Sequence, residues 1–460
     1  MPSELDILKS FWLAAQGDPA KVSQVSFMGE GELPSTFAVT SFASATVGTC
    51  GLALASLIDT IGRDDDIETQ VIVDRRLTSF WFHDSIRPVG WKTPPNSDPT
   101  AGDYRAQDGW IRLHTNAPHH RQAVLTVLKA DNNRESVAKA VATWRCDELE
   151  AAVVANKGCA ATMRSWDAWQ QHPQGQAVMS EPLIAWESGD TTHQSTWVFN
   201  RARPLEGLKV LDLTRVLAGP TCTRMLGAFG ADVLRVDPPW WVEPGNEPEM
   251  TVGKRCASVD LRAPDNLALF KSLIQQADVM VHGYRSDALE ALGLGAVERQ
   301  KLRPGLIDVS LDAYGHTGPW RHRRGFDSLV QMSMGIAEMG QRIQKKDKPT
   351  PLPVQALDFG TGYLLAAAAL RGLETRIRTG LGSIARLSLA RTGLEMMKLQ
   401  HPDNHVCLSL RPESADDLDL RPEHTHWGLA HRLKPPLLVS GVEQYWQSGA
   451  TPLGSNPCTW

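Results

Sequence analysis

The stretch Leu208-Lys209-Val210-Leu211-Asp212-Leu213-Thr214-Arg215-Val216-Leu217-Ala218-Gly219-Pro220 decides the fold. Its first six residues read as a short apolar strand. Pro220 suits the first position of a helix, where its missing N–H costs nothing. A helix is therefore predicted over 221–229, stopped by Gly230. Ala231-Asp232-Val233-Leu234-Arg235-Val236 is the next strand, which completes a βαβ unit. Residues 277–281 and 305–310 are further strands, each after a helical pattern, and a last apolar helix over 362–376 leads into a strand at 384–389. Strands alternating with helices predict a parallel sheet covered on both faces. The expected fold class is α/β, a Rossmann-like parallel-sheet large domain with a smaller α+β domain.

Working outward, the division reads 1–90, 91–190, 191–204, 205–400 and 401–460. Residues 3–15 have helical periodicity, and 38–61 form a small-residue buried helix. Residues 88–101 carry four prolines and read as a linker. A compact α+β module ends near Pro182, and 187–204 is a second, polar linker. The last segment is a weakly patterned tail packing on the large domain. An internal repeat crosses these divisions. Leu33-Pro34, then Val39-Thr40-Ser41-Phe42-Ala43, a small-residue helix and Val71-Ile72-Val73-Asp74-Arg75-Arg76 match a later series in order. That series is Leu352-Pro353, Ala356-Leu357-Asp358-Phe359-Gly360, a small-residue helix and Ala385 to Arg391.

Composition narrows the function. The 460 residues carry 47 basic and 52 acidic side chains, a net charge of -5, which gives no footprint for nucleic acid. The longest apolar runs, 47–58 and 363–370, fall short of the ~18 residues that span a membrane. Seven scattered cysteines without a C-x-x-C pair fit a reducing compartment. The expected location is the cytoplasm, with mitochondrion and peroxisome left open. The turn at 214–220 lacks G-x-G-x-x-G, which argues against a nicotinamide dehydrogenase although Asp237 ends the second strand. The helix start can still hold a phosphate, helped by Arg215. His114, His119 and His120, and His424, His426 and His431, lack zinc spacing and read as surface residues; no metal site is expected.

The carboxylates that stand out are Asp327, in Gly325-Phe326-Asp327-Ser328, and Asp358, in Leu357-Asp358-Phe359-Gly360-Thr361-Gly362. Asp358 precedes Gly-x-Gly at a helix start. A carboxylate there is stabilised by the helix dipole. It reads either as an N-cap or as an exposed nucleophile.

Taken together, 203–395 resemble the class III CoA-transferases, the formyl-CoA transferase and CaiB/BaiF group. The matching stretches run from Pro204 to Pro220, Leu226-Gly227-Ala228-Phe229-Gly230-Ala231-Asp232-Val233, Gly253-Lys254-Arg255, Gly318-Pro319-Trp320, Arg324-Gly325-Phe326-Asp327 and 357–362. Residues 103–182 resemble the family's small domain and 33–85 the second half of its large domain. The order is permuted, as in a tandem transferase that lost the front of its first copy. Ser41 stands where Asp358 would be in that copy, so the copy is expected to be silent.

The resemblance implies a CoA-transferase moving CoA from an acyl-CoA to a carboxylic acid. Asp358 would be the nucleophile, forming a mixed anhydride and then an aspartyl thioester. Gly360 and Gly362 would offer oxyanion N–H groups, and Asp327 an active-site acid. CoA contacts would come from Arg215, Leu217, Ala218, Val259, Arg262, Gly283, Tyr284 and Arg324. Coenzyme A thioester is a substrate here, with no tightly bound cofactor. The resemblance also implies a homodimer, with no nucleic-acid or membrane partner. Two departures stand out: Asp98-Pro99-Thr100-Ala101-Gly102-Asp103 replaces the family's glycine-rich lid, and Gly283-Tyr284 replaces an asparagine-phenylalanine pair. The alternatives are an α-methylacyl-CoA racemase-like epimerase, against which Phe326 stands in place of a histidine, and a silent CoA-binding protein, against which Asp358 speaks.

Overall fold

Seven strands, five of them rich in Val, Leu and Ile and the two at the edges not, pair into one sheet in a computed structural model that describes residues 2–62, 68–95, 97–191, 197–402 and 405–460. The strands are β1 (Ala185–Thr191), β2 (Lys209–Leu213), β3 (Asp232–Asp237), β4 (Lys254–Ser258), β5 (Val279–His282), β6 (Ile307–Asp312) and β7 (Leu381–Ser388). Their order is β4-β3-β2-β5-β6-β7-β1. All are parallel except β1, which runs antiparallel on β7. From β2 onward this is the doubly wound order, and it reverses direction between β2 and β5. At such a switch point the loops leave on opposite faces and open a crevice at the strand C-termini.

The helices that bear on this crevice are α1 (Val39–Ile61), α2 (Pro118–Leu128), α3 (Ala218–Ala228), α4 (Asp327–Ser333), α5 (Ala356–Thr379) and α6 (Leu389–Met397). Helix α3 starts two residues before Pro220, because proline is tolerated throughout a first turn and the Thr221 N–H closes onto the Leu217 carbonyl. Helix α1 is 23 residues long, longer than the apolar run read from sequence. It is apolar enough for a membrane span but wholly buried in the protein. Thr46, Thr49 and Thr60 close onto its own carbonyls, as Thr49 Oγ1 does onto Ala45 O at 2.7 Å. These three threonine hydroxyls are thereby satisfied without solvent.

Strand β1 corrects the expected division. Its residues were assigned to the small module and the following linker, yet they form the seventh strand. The sequence is polar because it is an edge: Glu187 forms an ion pair across to Arg386 of β7, and a charged edge resists further pairing. Residues 192–196 of the expected linker lie outside the described residues. The 88–101 linker also begins inside a strand, Ile86–Pro88, which pairs with tail strand Gly428–Arg432. A second tail strand, Leu437–Val439, pairs with Val71–Asp74. The tail therefore completes sheets begun by the first 90 residues.

The repeat is visible in backbone geometry. Strands Val25–Met28 and Val71–Asp74 are parallel with α1 between them in the chain, as β6 and β7 are parallel with α5 between them. Ala38 before α1 has φ −73°, ψ 64°, and Gln355 before α5 has φ −75°, ψ 63°. The bonds Val39 N–H to Phe37 O and Ala356 N–H to Val354 O are both 2.8 Å. This register makes Ser41 the counterpart of Asp358. The small module is a three-stranded antiparallel sheet, Gly102–Arg105, Trp110–Leu113 and Ala160–Thr162. Its core holds Ile111, Leu113, Val124, Val137, Leu149 and Val153.

Candidate active site

The switch-point crevice holds a cavity of ≈ 750 Å³ whose walls come from both domains. The large domain supplies the loops after β2 (Thr214, Arg215, Val216), β5 (Gly283, Tyr284) and β6 (Leu311, Asp312, Ala313), together with Asp358. The small module supplies His119 and His120, at the start of α2. Arg215, Arg285, Arg321, Arg323 and Arg324 make the lining cationic. A second cavity of ≈ 310 Å³ shares the wall formed by Val216, Trp241 and Phe326.

The loop after β2 is held under strain. Val216 has φ 65°, an unusual conformation for a β-branched residue. Glu243 stabilises it by accepting the Val216 N–H at 2.9 Å, and also accepts from Trp241 Nε1 and Arg235. Arg215 is thereby presented between two rings, 4.4 Å from Trp241 and 4.8 Å from Tyr284. It donates to the Tyr284 hydroxyl at 3.1 Å. Its Nε faces the buried Asp237 carboxylate at 3.7 Å, and the planar guanidinium stacked between the rings lines the cavity as a fixed fork of donors suited to an anion.

Asp358 is buried in the first turn of α5. It is not the N-cap, which is Gln355. Burial pushes its carboxyl well above the usual carboxylate range, and the charge of Asp327 pushes it further. Asp327 lies at the first position of α4 and accepts the N–H groups of Leu357 at 2.9 Å and Asp358 at 3.0 Å. Gln331 donates to its other oxygen at 2.5 Å. Burial raises its pKa to about 6, against the opposing pull of those donors. Asp327 therefore caps the helix that carries Asp358. It is absent from the cavity wall, where the sequence reading expects an acid, and meets Asp358 through the backbone N–H.

Gly360 and Gly362 also differ from expectation. Both lie inside α5, where their N–H groups belong to the i−4 ladder, so they are not free for an oxyanion. Their missing side chains serve packing. A Cβ on Gly360 would stand 2.4 Å from the Phe42 ring of α1, and one on Gly362 would stand 2.4 Å from the Ala218 carbonyl of α3.

The expected CoA contacts separate into two groups. Arg215, Ala218, Gly283, Tyr284 and Arg324 line the cavity. Leu217, Val259 and Arg262 do not. Leu217 precedes α3 as its N-cap residue, and Val259 is buried in the core. Arg262 is exposed, forks onto Asp260 at 2.8 and 2.9 Å and stacks 4.1 Å from Trp240. Trp240 lines the cavity, which places Arg262 at its rim. Arg324 is half-buried and forms no salt bridge with a described residue. Burial and the charge of Arg285 lower its pKa.

The first histidine cluster, read from sequence as surface, is the larger miss. His120 is buried, and neither of its ring nitrogens has a hydrogen-bond partner among the described residues. His114 stacks on Phe326 with centroids 3.7 Å apart, and His120 meets the same ring edge-on at 5.8 Å. Burial lowers both imidazoles to about 3, so they are neutral at physiological pH. Asp312 was also missed; it lines the cavity with its pKa raised by burial to about 6. Only His119-His120 adjacency hinted at the first cluster, and nothing local marks Asp312.

In the first copy, the position of Asp358 is closed. Ser41 Oγ donates to Glu4 at 2.9 Å, and Arg75 donates to the same oxygen at 2.9 Å. Helix Glu4–Ala14 thus covers Ser41.

Residues 205–415 match the model of CoA-transferase family III. Over 229 residues the chain is 31% identical to the succinyl-CoA–D-citramalate CoA-transferase of Chloroflexus aurantiacus, covering 47% of this chain and 56% of that one. It is likewise 31% identical to the succinyl-CoA:glutarate CoA-transferase of Mus musculus, covering 50% and 52%. A solved hypothetical protein (Rv3272) from Mycobacterium tuberculosis aligns at 31% identity with a TM-score of 0.39, over 43% of this chain and 57% of that one. The chain therefore spans little more than half the length of the relatives it matches.

Proposed function

We propose, from the match of residues 205–415 to the model of CoA-transferase family III, that the protein transfers CoA from an acyl-CoA to a carboxylic acid with Asp358 as the nucleophile. One observation carries the reading: a buried carboxylate at the head of α5 opens onto an arginine-lined cavity at the sheet's switch point. The arginines suit the phosphates of CoA. Dry surroundings keep the carboxylate poorly solvated and therefore reactive.

Asp358 attacks the thioester carbonyl, the CoA thiolate leaves, and an aspartyl–acyl anhydride remains. The thiolate then attacks the aspartyl carbonyl and expels the donor carboxylate. The acceptor carboxylate attacks the resulting aspartyl thioester and releases the thiolate again. Attack of the thiolate on the acceptor carbonyl gives the new acyl-CoA and restores Asp358. Each tetrahedral intermediate bears an oxyanion. With the α5 N–H groups occupied by Asp327, the neutral His120 imidazole supplies a donor for it.

Incubation with acyl-CoA and hydroxylamine should convert Asp358 to a hydroxamate detectable by peptide mass spectrometry, and Asp358→Ala should be inert. Racemisation of a 2-methylacyl-CoA without a trapped species would replace this reading by the epimerase one, with His120, which lines the same cavity as Asp358, as the proton carrier. A homodimer is proposed as the assembly, checked by a solution mass near twice 50.5 kDa.

A further inference from the structure

A set of donor atoms lies apart from both cavities, where the segment after α6 meets the segment before α1. Glu32 takes His405 Nε2 on one carboxylate oxygen and stands 3.4 Å from His401 Nε2 with the other. The two imidazoles stack with centroids 3.7 Å apart and planes at 6°, so both Nε2 atoms converge on one carboxylate. One donor atom from each residue lies within 4.8 Å of the others. His401 is buried and its Nδ1 has no hydrogen-bond partner among the described residues.

We propose that Glu32, His401 and His405 bind a zinc ion that fastens these two segments together. Two imidazoles and a carboxylate are a donor set that zinc takes with one further position open. Water can fill that position, because His405 lies at the protein surface. Seating the ion requires the stacked rings to fan apart, and His405, the more exposed of the two, has room to turn.

The backbone brings the donors together before any ion arrives. Glu32 N–H donates to Leu408 O at 2.8 Å, His401 N–H to Thr36 O at 3.0 Å, and Ala38 N–H to Leu399 O at 2.9 Å. Little ordering is left for binding to impose. A clip between residues this far apart in sequence removes much loop freedom from the unfolded chain. None of the three residues lines either cavity, so the ion is structural. It would secure the entry to α1, the helix that packs on Gly360 of α5.

The full chain, purified without chelator or polyhistidine tag, should carry one zinc by elemental analysis. Stripped protein should take up Zn²⁺ from a chromophoric competitor with a rise in Tm. His405→Ala and Glu32→Gln should each bind at least about tenfold more weakly and lose the Zn²⁺-dependent part of Tm. Glu32→Gln keeps size and shape, which guards against a variant that fails to fold. His424→Ala/His426→Ala should bind as the parent does. Absence of zinc with no Tm response, equal binding by His405→Ala, or loss of binding in the His424/His426 variant would each overturn the proposal. In the first case the cluster is a hydrogen-bonded clasp only.

Discussion

Asp327 and Asp358 are two buried carboxylates whose ionisations oppose each other. The charge of Asp327 raises the pKa of Asp358, so Asp327→Asn should lower it and move the acid limb of the kcat/KM profile to lower pH. Asparagine keeps an acceptor for the α5 N–H groups, so the helix start survives. Stability responds in a defined direction. A carboxyl whose folded pKa is raised favours the folded state most below its unfolded value of about 3.9. That contribution is lost as pH rises through about 6, the folded value of Asp327. Thermal melts from pH 4 to 7 should therefore decline less steeply in Asp327→Asn than in the parent. In the proposed mechanism His120 is a neutral donor, so its loss should not reshape the pH profile. His120→Ala should lower kcat by about 10² with little change in KM for CoA, and His120→Gln should recover part of it. A carboxylate before Gly-x-Gly could be singled out from sequence. That Asp327 caps α5 could not, because the two residues meet only through folding.

At the scale of elements, the site depends on how closely α5 can approach its neighbours. Gly360 and Gly362 let α1 and α3 reach the helix backbone. A methyl on Gly362 meets a carbonyl, which cannot move aside as a side-chain end can. Gly362→Ala should thus cost about 1–3 kcal/mol, measured by chemical denaturation, and should lower activity by displacing Ala218 from the cavity wall. The glycines are prominent in the sequence, and the close approach they allow in the structure is that of α1 and α3. Gly-x-Gly signals close approach without stating whether a ligand or a helix approaches. The βαβ alternation was legible because periodicity is local. Strand β1 was not, since an edge strand paired through Glu187 and Arg386 looks like polar linker.

Across the whole molecule, the permuted order is closed by the tail. Arg76, in the first 90 residues, forms a two-pronged pair with Asp417 at 2.7 and 2.8 Å and also donates to the carbonyls of Arg411 and Pro412. The guanidinium beside it holds Asp417 well below the usual carboxylate range. Asp417→Asn should cost about 3 kcal/mol, because it leaves Arg76 buried without its counter-charge. Denaturant titration measures this, and limited proteolysis should show the tail released first. Sequence by itself determined the parallel α/β core, the separate α+β module, the repeat with Ser41 in place of Asp358, and Asp358 as the residue to watch. Each is written in periodicity or in motifs a few residues long. Only the tertiary structure decided that His120 and Asp312 face the same cavity as Asp358, that Asp327 caps α5, that Glu4 covers Ser41, and that Glu32 meets His401 and His405. Those relations join residues from tens to hundreds of positions apart, and burial, which gives them their chemistry, exists only once the chain has packed.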